Sequence, residues 1–135
     1  MSFSDWFENT LLNHIFSKGN YSPQMIYTGL CTNLPADSST GGNCNEVANA
    51  YGYSRIQTSS AYWNTAVSGQ LTNALEIAFP IALGTWGVIR AFVLLNSGSY
   101  GLGNVLIWGD ISPDRTIVVN YQAKFPPGSL VVVLD

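Results

Sequence analysis

The stretch Trp86-Gly87-Val88-Ile89-Arg90-Ala91-Phe92-Val93-Leu94-Leu95 decides the fold, because it is apolar at nearly every position. A strand with one solvated face alternates apolar and polar residues, so this stretch predicts a strand that is covered on both faces. The outer face of this strand is covered either by another part of the chain or by a partner protein. Arg90 has two matching interpretations: it pairs with a carboxylate of the chain such as Glu76, or it anchors a subunit contact.

Short segments of β-forming residues surround this stretch, and turns rich in Gly, Pro, Asn and Ser separate them. The predicted strands are 25–32, 53–60, 74–79, 86–95, 104–110, 115–121 and 129–134. This spacing is typical of a mainly β protein, an antiparallel β-sandwich or jelly roll of about seven or eight strands. The polar segment 33–45 lacks hydrophobic anchors and is predicted to be an exposed, mobile loop.

One N-terminal α-helix is predicted before the strands, over residues 1–18. Ser4 is a suitable N-cap residue, and Gly19 ends the helical pattern. A chain of 135 residues has the ordinary size of one domain. We therefore predict a single domain, residues 1–135, which consists of this helix and a β-sandwich over residues 23–135.

Charged residues make up only 10% of the sequence, and the net charge is -3. Neutral polar side chains must therefore form most of the surface, and a partner can cover them without burying unpaired charges. This favours an assembled protein over the alternative, an ordinary secreted β-domain. The five cations are scattered, which argues against nucleic-acid binding. The apolar segment 74–95 contains Glu76, Pro80 and Arg90, so it predicts buried strands and no membrane span.

The sequence predicts no catalytic residue, no cofactor site and no metal site. His14 is the single histidine, and no second set of metal ligands accompanies it. Asp110 and Asp114 are the best carboxylate pair for a glycosidase, but acids in turns usually accept backbone hydrogen bonds. Cys31 and Cys44 form either a loop disulfide or two inert buried thiols, and the thiols are the favoured interpretation.

A series of short motifs follows in order along nearly the whole chain. They are Glu8-Asn9-Thr10-Leu11-Leu12-Asn13-His14-Ile15-Phe16, residues 26–35, Glu46-Val47, Gly52-Tyr53-Ser54-Arg55, Phe79-Pro80, Thr85-Trp86-Gly87, Leu106-Ile107-Trp108-Gly109 and residues 127–134. Through these motifs the chain resembles a family of small virion structural proteins of tailed phages. Cys31 and Cys44 depart from that family, in which small residues or Thr are more usual at these positions.

The resemblance implies a structural component of the virion that is not an enzyme. Small jelly-roll proteins of this size serve as capsid cement or decoration proteins, so we expect a cement protein on the outer capsid surface. Its partners would be the major capsid protein and copies of itself, as a dimer or trimer. The alternative is a tail-fibre or baseplate module that binds a host surface glycan through aromatic side chains. The candidate interface residues are Phe3, Trp6, Trp86, Arg90 and Phe92, and Trp63 is the candidate exposed aromatic residue.

Overall fold

Five antiparallel strands form the main sheet of the computed structural model, which describes residues 1–134. The elements in chain order are β1 (Ser2–Phe3), α1 (Asp5–Ile15), β2 (Ile26–Cys31), β3 (Ile56–Thr58), β4 (Gln70–Thr72), β5 (Ile77–Ile81), β6 (Gly87–Leu95), β7 (Val105–Ile117), β8 (Gln122–Phe125) and β9 (Val131–Val133). The main sheet has the order β1-β7-β6-β2-β3, and the pairs β4-β9 and β5-β8 form two small sheets. The mainly β, sandwich-like prediction is confirmed, whereas this strand order does not confirm a jelly roll.

Strand β6 is the centre of the fold, and the chain itself covers both of its faces. On one face, Phe92 and Leu94 pack in the main core with residues of β5 such as Phe79. On the other face lies a second cluster, which consists of Cys31, Cys44, Ala91, Val93, Leu95 and Val105. Because Cys44 belongs to the segment after β2, no partner is needed to explain the doubly apolar strand.

The helix α1 is shorter than the predicted helix over residues 1–18. Phe3 lies in strand β1, where it pairs with Ile107 of β7. Residues 2 and 3 therefore belong to the main sheet and not to the helix. The predicted N-cap is confirmed, since the Ser4 hydroxyl accepts the backbone N–H of Phe7 at 3.1 Å. Ser17 ends the last turn with a φ of 59°, in the left-handed region.

The segment 33–45 is anchored to the sheet, and its prediction as an exposed loop is wrong at several buried positions. These positions are Pro35, Ser39, Gly41 and Cys44. The Asp37 carboxylate accepts hydrogen bonds from the Ser2 hydroxyl at 2.6 Å and from the Trp108 indole N–H at 3.0 Å. Polar contacts of Asp37 and the buried Cys44 side chain hold this segment, and neither gives a periodic hydrophobic pattern in the sequence.

The apolar segment 74–95 forms strands β5 and β6, as its sequence predicted. Between residues 1 and 134 no helix has the length and apolar character of a membrane span.

Candidate assembly surface

A buried ion pair organises the loops at one end of the main sheet. The Arg55 guanidinium and the Glu46 carboxylate meet at 2.8 Å, and their side chains are only 1% and 4% exposed. The Arg55 Nε also donates to the same carboxylate, at 2.9 Å from Oε2. This double contact is the geometry in which arginine binds a carboxylate most strongly.

The remaining guanidinium N–H groups of Arg55 bind backbone carbonyls of two separate loops. They donate to the oxygens of Ser97 at 2.7 Å, Leu102 at 2.9 Å and Gly41 at 3.3 Å. The backbone N–H of Gly41 in turn donates to Gly103 O at 2.9 Å, so the segment 33–45 and the loop 97–103 are held together. All the donors of this buried charge are therefore satisfied within the chain.

Tyr53 completes this buried site. Its hydroxyl donates to Glu46 at 2.6 Å and accepts the backbone N–H of Leu30 at 3.0 Å. Burial, together with the neighbouring carboxylate, raises the pKa of Tyr53, so the phenol stays protonated and keeps donating. The motifs Glu46-Val47 and Gly52-Tyr53-Ser54-Arg55 are thus explained as a structural centre. Their pattern in the sequence did not indicate that these charges are buried.

Arg90 has a carboxylate partner within the chain and stays half exposed, so its role at an interface remains a prediction. Its guanidinium lies 3.5 Å from the Asp114 carboxylate, and both side chains are about half exposed, 50% and 52%. The expected partner Glu76 instead lies 3.8 Å from Lys124. Asp110 and Asp114 are both exposed on β7, and only Asp114 lines the groove between β7 and β8. Residues 1–134 hold no group of His, Cys, Asp and Glu that could bind a metal ion.

Two of the candidate interface residues lie inside the protein, and the structure corrects their assignment to an interface. Trp86 is 6% exposed, and its indole N–H donates to the backbone oxygen of Tyr51 at 3.0 Å. Phe92 is 8% exposed and packs edge-on against Phe125 in the main core. Both rings stabilise this fold, so they do not offer a surface to another protein.

The other predicted aromatic residues remain partly accessible. Phe3 stacks on Phe7 with ring centroids 5.5 Å apart, and Trp6 lies beside the same ring with 39% of its surface exposed. Trp63 is half-buried against the main core rather than fully exposed. Its indole N–H donates to the Thr58 hydroxyl at 3.1 Å.

One uncovered apolar area lies on α1 and beside the two ends of the described chain. We call it the helix-face surface, and its main members are Met1, Leu12, Ile15, Phe16 and Leu134. Their exposures run from 44% for Met1 to 69% for Phe16. A groove of about 650 Å³ runs between α1 and the chain ends, and the side chains of Phe3 and Leu11 also line it. Contiguous exposed apolar side chains on soluble proteins mark interaction sites.

A second uncovered area lies where three loops meet, and we call it the three-loop surface. Its members Tyr51, Leu83 and Tyr121 are exposed by 59%, 72% and 56%. Backbone hydrogen bonds join these loops, from Leu83 N to Tyr51 O at 3.0 Å and from Ala82 N to Tyr121 O at 2.9 Å. The Tyr51 ring occupies the space where a side chain at Gly84 would lie, so the glycine leaves room for the ring.

A sandwich-like core, a fully paired buried charge centre and two uncovered apolar surfaces define a small β-sandwich-like module. The model of a family described as "Podophage GP4 fiber I protein gp80" matches residues 2–133. The chain belongs to this family, which makes it a structural protein of a phage virion. A search of the curated proteins finds no match.

Proposed function

We propose that this protein is a non-enzymatic fibre component of a podophage virion that associates with copies of itself. The helix-face surface carries this proposal, because its exposed apolar residues are unfavourable in water and become buried on association. The description of the family as a fibre protein supports the fibre location over the capsid surface.

The binding partner that best fits the helix-face surface is the helix-face surface of a second copy of the chain. The helix α1 has Asp5 and Glu8 in its first turn, and His14 and Lys18 at or after its last turn. Two such helices packed antiparallel about a two-fold axis would place each acidic end beside the basic end of the other. The groove beside α1 also offers each copy a recess for the exposed apolar side chains of the other.

We expect the substitution Ile15→Lys to weaken self-association by at least about tenfold, because a two-fold contact would bury the new charge twice. Sedimentation velocity over a range of concentrations measures this effect. Leu83→Lys is the matched control, since Leu83 is exposed by 72% and Ile15 by 68%, and Leu83 belongs to the three-loop surface. A wild-type protein that stays monomeric at the highest soluble concentration would contradict self-association through the helix-face surface.

The second candidate function is the capsid cement role, with the major capsid protein as partner. The low charge of 10% favours it, because a neutral surface can be covered over a wide area. Under this role the helix-face surface would dock on neighbouring capsomers. The protein would stabilise the shell by binding only its assembled form.

Copy number in purified virions separates the two locations. We expect few copies of this chain relative to the major capsid protein, measured by quantitative mass spectrometry with labelled peptides of both proteins. Labelled antibodies on intact particles should then mark the tail region. A copy number in simple proportion to the major capsid protein, with label over the head, would reject the fibre proposal and support cement.

A fibre protein can also bind glycans of the host surface. The three-loop surface supports glycan binding better than Trp63 does, because Tyr51 and Tyr121 each expose more than half of their area. Sugar rings pack on exposed aromatic faces, whereas the Trp63 indole is half-buried and its N–H is already bound within the chain.

A further inference from the structure

Cys31 and Cys44 are brought into contact in the second cluster, although twelve residues separate them in sequence. Cys31 ends β2 and pairs with Glu46, and the backbone N–H of Thr32 donates to Asn45 O at 2.9 Å. Asn45 has a φ of 61°, which bends the chain just after Cys44. Both side chains are buried in this cluster, where the residues are 0% and 1% exposed.

We propose that Cys31 and Cys44 form an intramolecular disulfide bond after the particle has left the reducing cytosol of its host. The family places the protein in a virion, which acts outside the cell, where disulfides persist. This inference depends on virion membership and not on the fibre location. The bond would join the end of β2 to the anchored segment 33–45, beside the buried Glu46–Arg55 pair.

The chemistry is a thiol–disulfide exchange with a small-molecule disulfide. The Cys44 sulfur attacks as a thiolate, one sulfur of the oxidant leaves as a thiolate, and a mixed disulfide forms. The Cys31 thiol then loses its proton, and its sulfur attacks Cys44 and displaces the second thiolate. Two protein thiols are thereby oxidised and one small disulfide is reduced to two thiols.

Cys44 takes the attacking role because it lies on the segment 33–45, whereas Cys31 is held in the main sheet, where it pairs with Ala91 of β6. The neighbouring Cys31 side chain lowers the pKa of Cys44, with the Arg55 guanidinium as a smaller cause in the same direction. The Cys44 side chain and burial raise the pKa of Cys31, which keeps it protonated until the second step. Because both thiols are buried, we expect a slow reaction that follows local opening of the segment 33–45.

The test incubates the purified full-length protein with oxidised glutathione and then measures intact mass and the melting temperature. We expect the mass to fall by that of two hydrogen atoms, and peptide mapping to show Cys31 joined to Cys44. Closing this loop should raise the melting temperature by on the order of 10 °C, and a reductant should reverse the shift. The control Cys44→Ser should show neither change.

Two results would overturn the proposal. The first is that both thiols still react with a thiol reagent once the oxidant-treated protein is denatured. The second is that the cysteines are found in bonds between different molecules. Because the main comparison uses oxidised and reduced forms of the wild-type chain, it stays decisive even if the Cys44→Ser control folds poorly.

Discussion

Glu46→Ala is expected to destabilise the protein by about 3–5 kcal/mol, because it leaves the buried Arg55 charge without its partner. The side chain of Arg55 is 1% exposed, so water cannot replace the lost carboxylate. The Tyr53 hydroxyl loses its acceptor in the same substitution. Urea unfolding followed by tryptophan fluorescence measures the change in the free energy of unfolding.

The matched control for this prediction is Arg90→Gln, which removes an ion pair on the surface. Arg90 and Asp114 are half exposed and 3.5 Å apart, so the free energy of unfolding should fall by no more than about 1 kcal/mol. A Glu46→Ala variant as stable as the control would show that the buried pair does not hold the fold. Weaker protection of amide hydrogens in the segment 33–45 and the loop 97–103 should accompany the destabilisation, because Arg55 binds carbonyls in both.

Asn73→Ala is expected to destabilise the protein by about 2–4 kcal/mol through buried groups left without hydrogen bonds. Asn73 is fully buried, and its side-chain amide donates to Leu75 O and Pro126 O, each at 2.9 Å. Its side-chain oxygen accepts the backbone N–H of Leu130 at 2.9 Å. One side chain therefore ties the segment between β4 and β5 to the turn between β8 and β9.

Thermal unfolding of this variant should be compared with that of Asn64→Ala. Asn64 makes a single exposed side-chain hydrogen bond, to the Thr72 hydroxyl at 2.9 Å, so its loss should change stability little. Equal melting temperatures for the two variants would contradict the role of Asn73.

Local patterns in the sequence predicted strands β2, β3, β5, β6 and β9 and the N-cap of the helix. They divided β7 into two strands, 104–110 and 115–121, at a predicted turn, and they missed β1, β4 and β8. The stretch 86–95 indicated a doubly covered strand, since residues that alternate along a strand face opposite sides. Ser4 indicated the helix start, because its hydroxyl can accept a free backbone N–H of the first turn. The same patterns extended the helix too far, since they contain no information on Phe3 pairing with Ile107 of β7.

The family and the mainly β framework were thus determined by the sequence alone, because both rest on the order and periodicity of residues along the chain. Only the tertiary structure decided which apolar and charged side chains are covered. Leu12 and Phe92 are both apolar, yet Leu12 is exposed by 53% and Phe92 by 8%. Arg55 and Arg90 are likewise the same residue type, and only the approach of distant loops buries one of them. Burial depends on contacts between segments far apart in sequence, and these contacts are what separate the helix-face surface from the core.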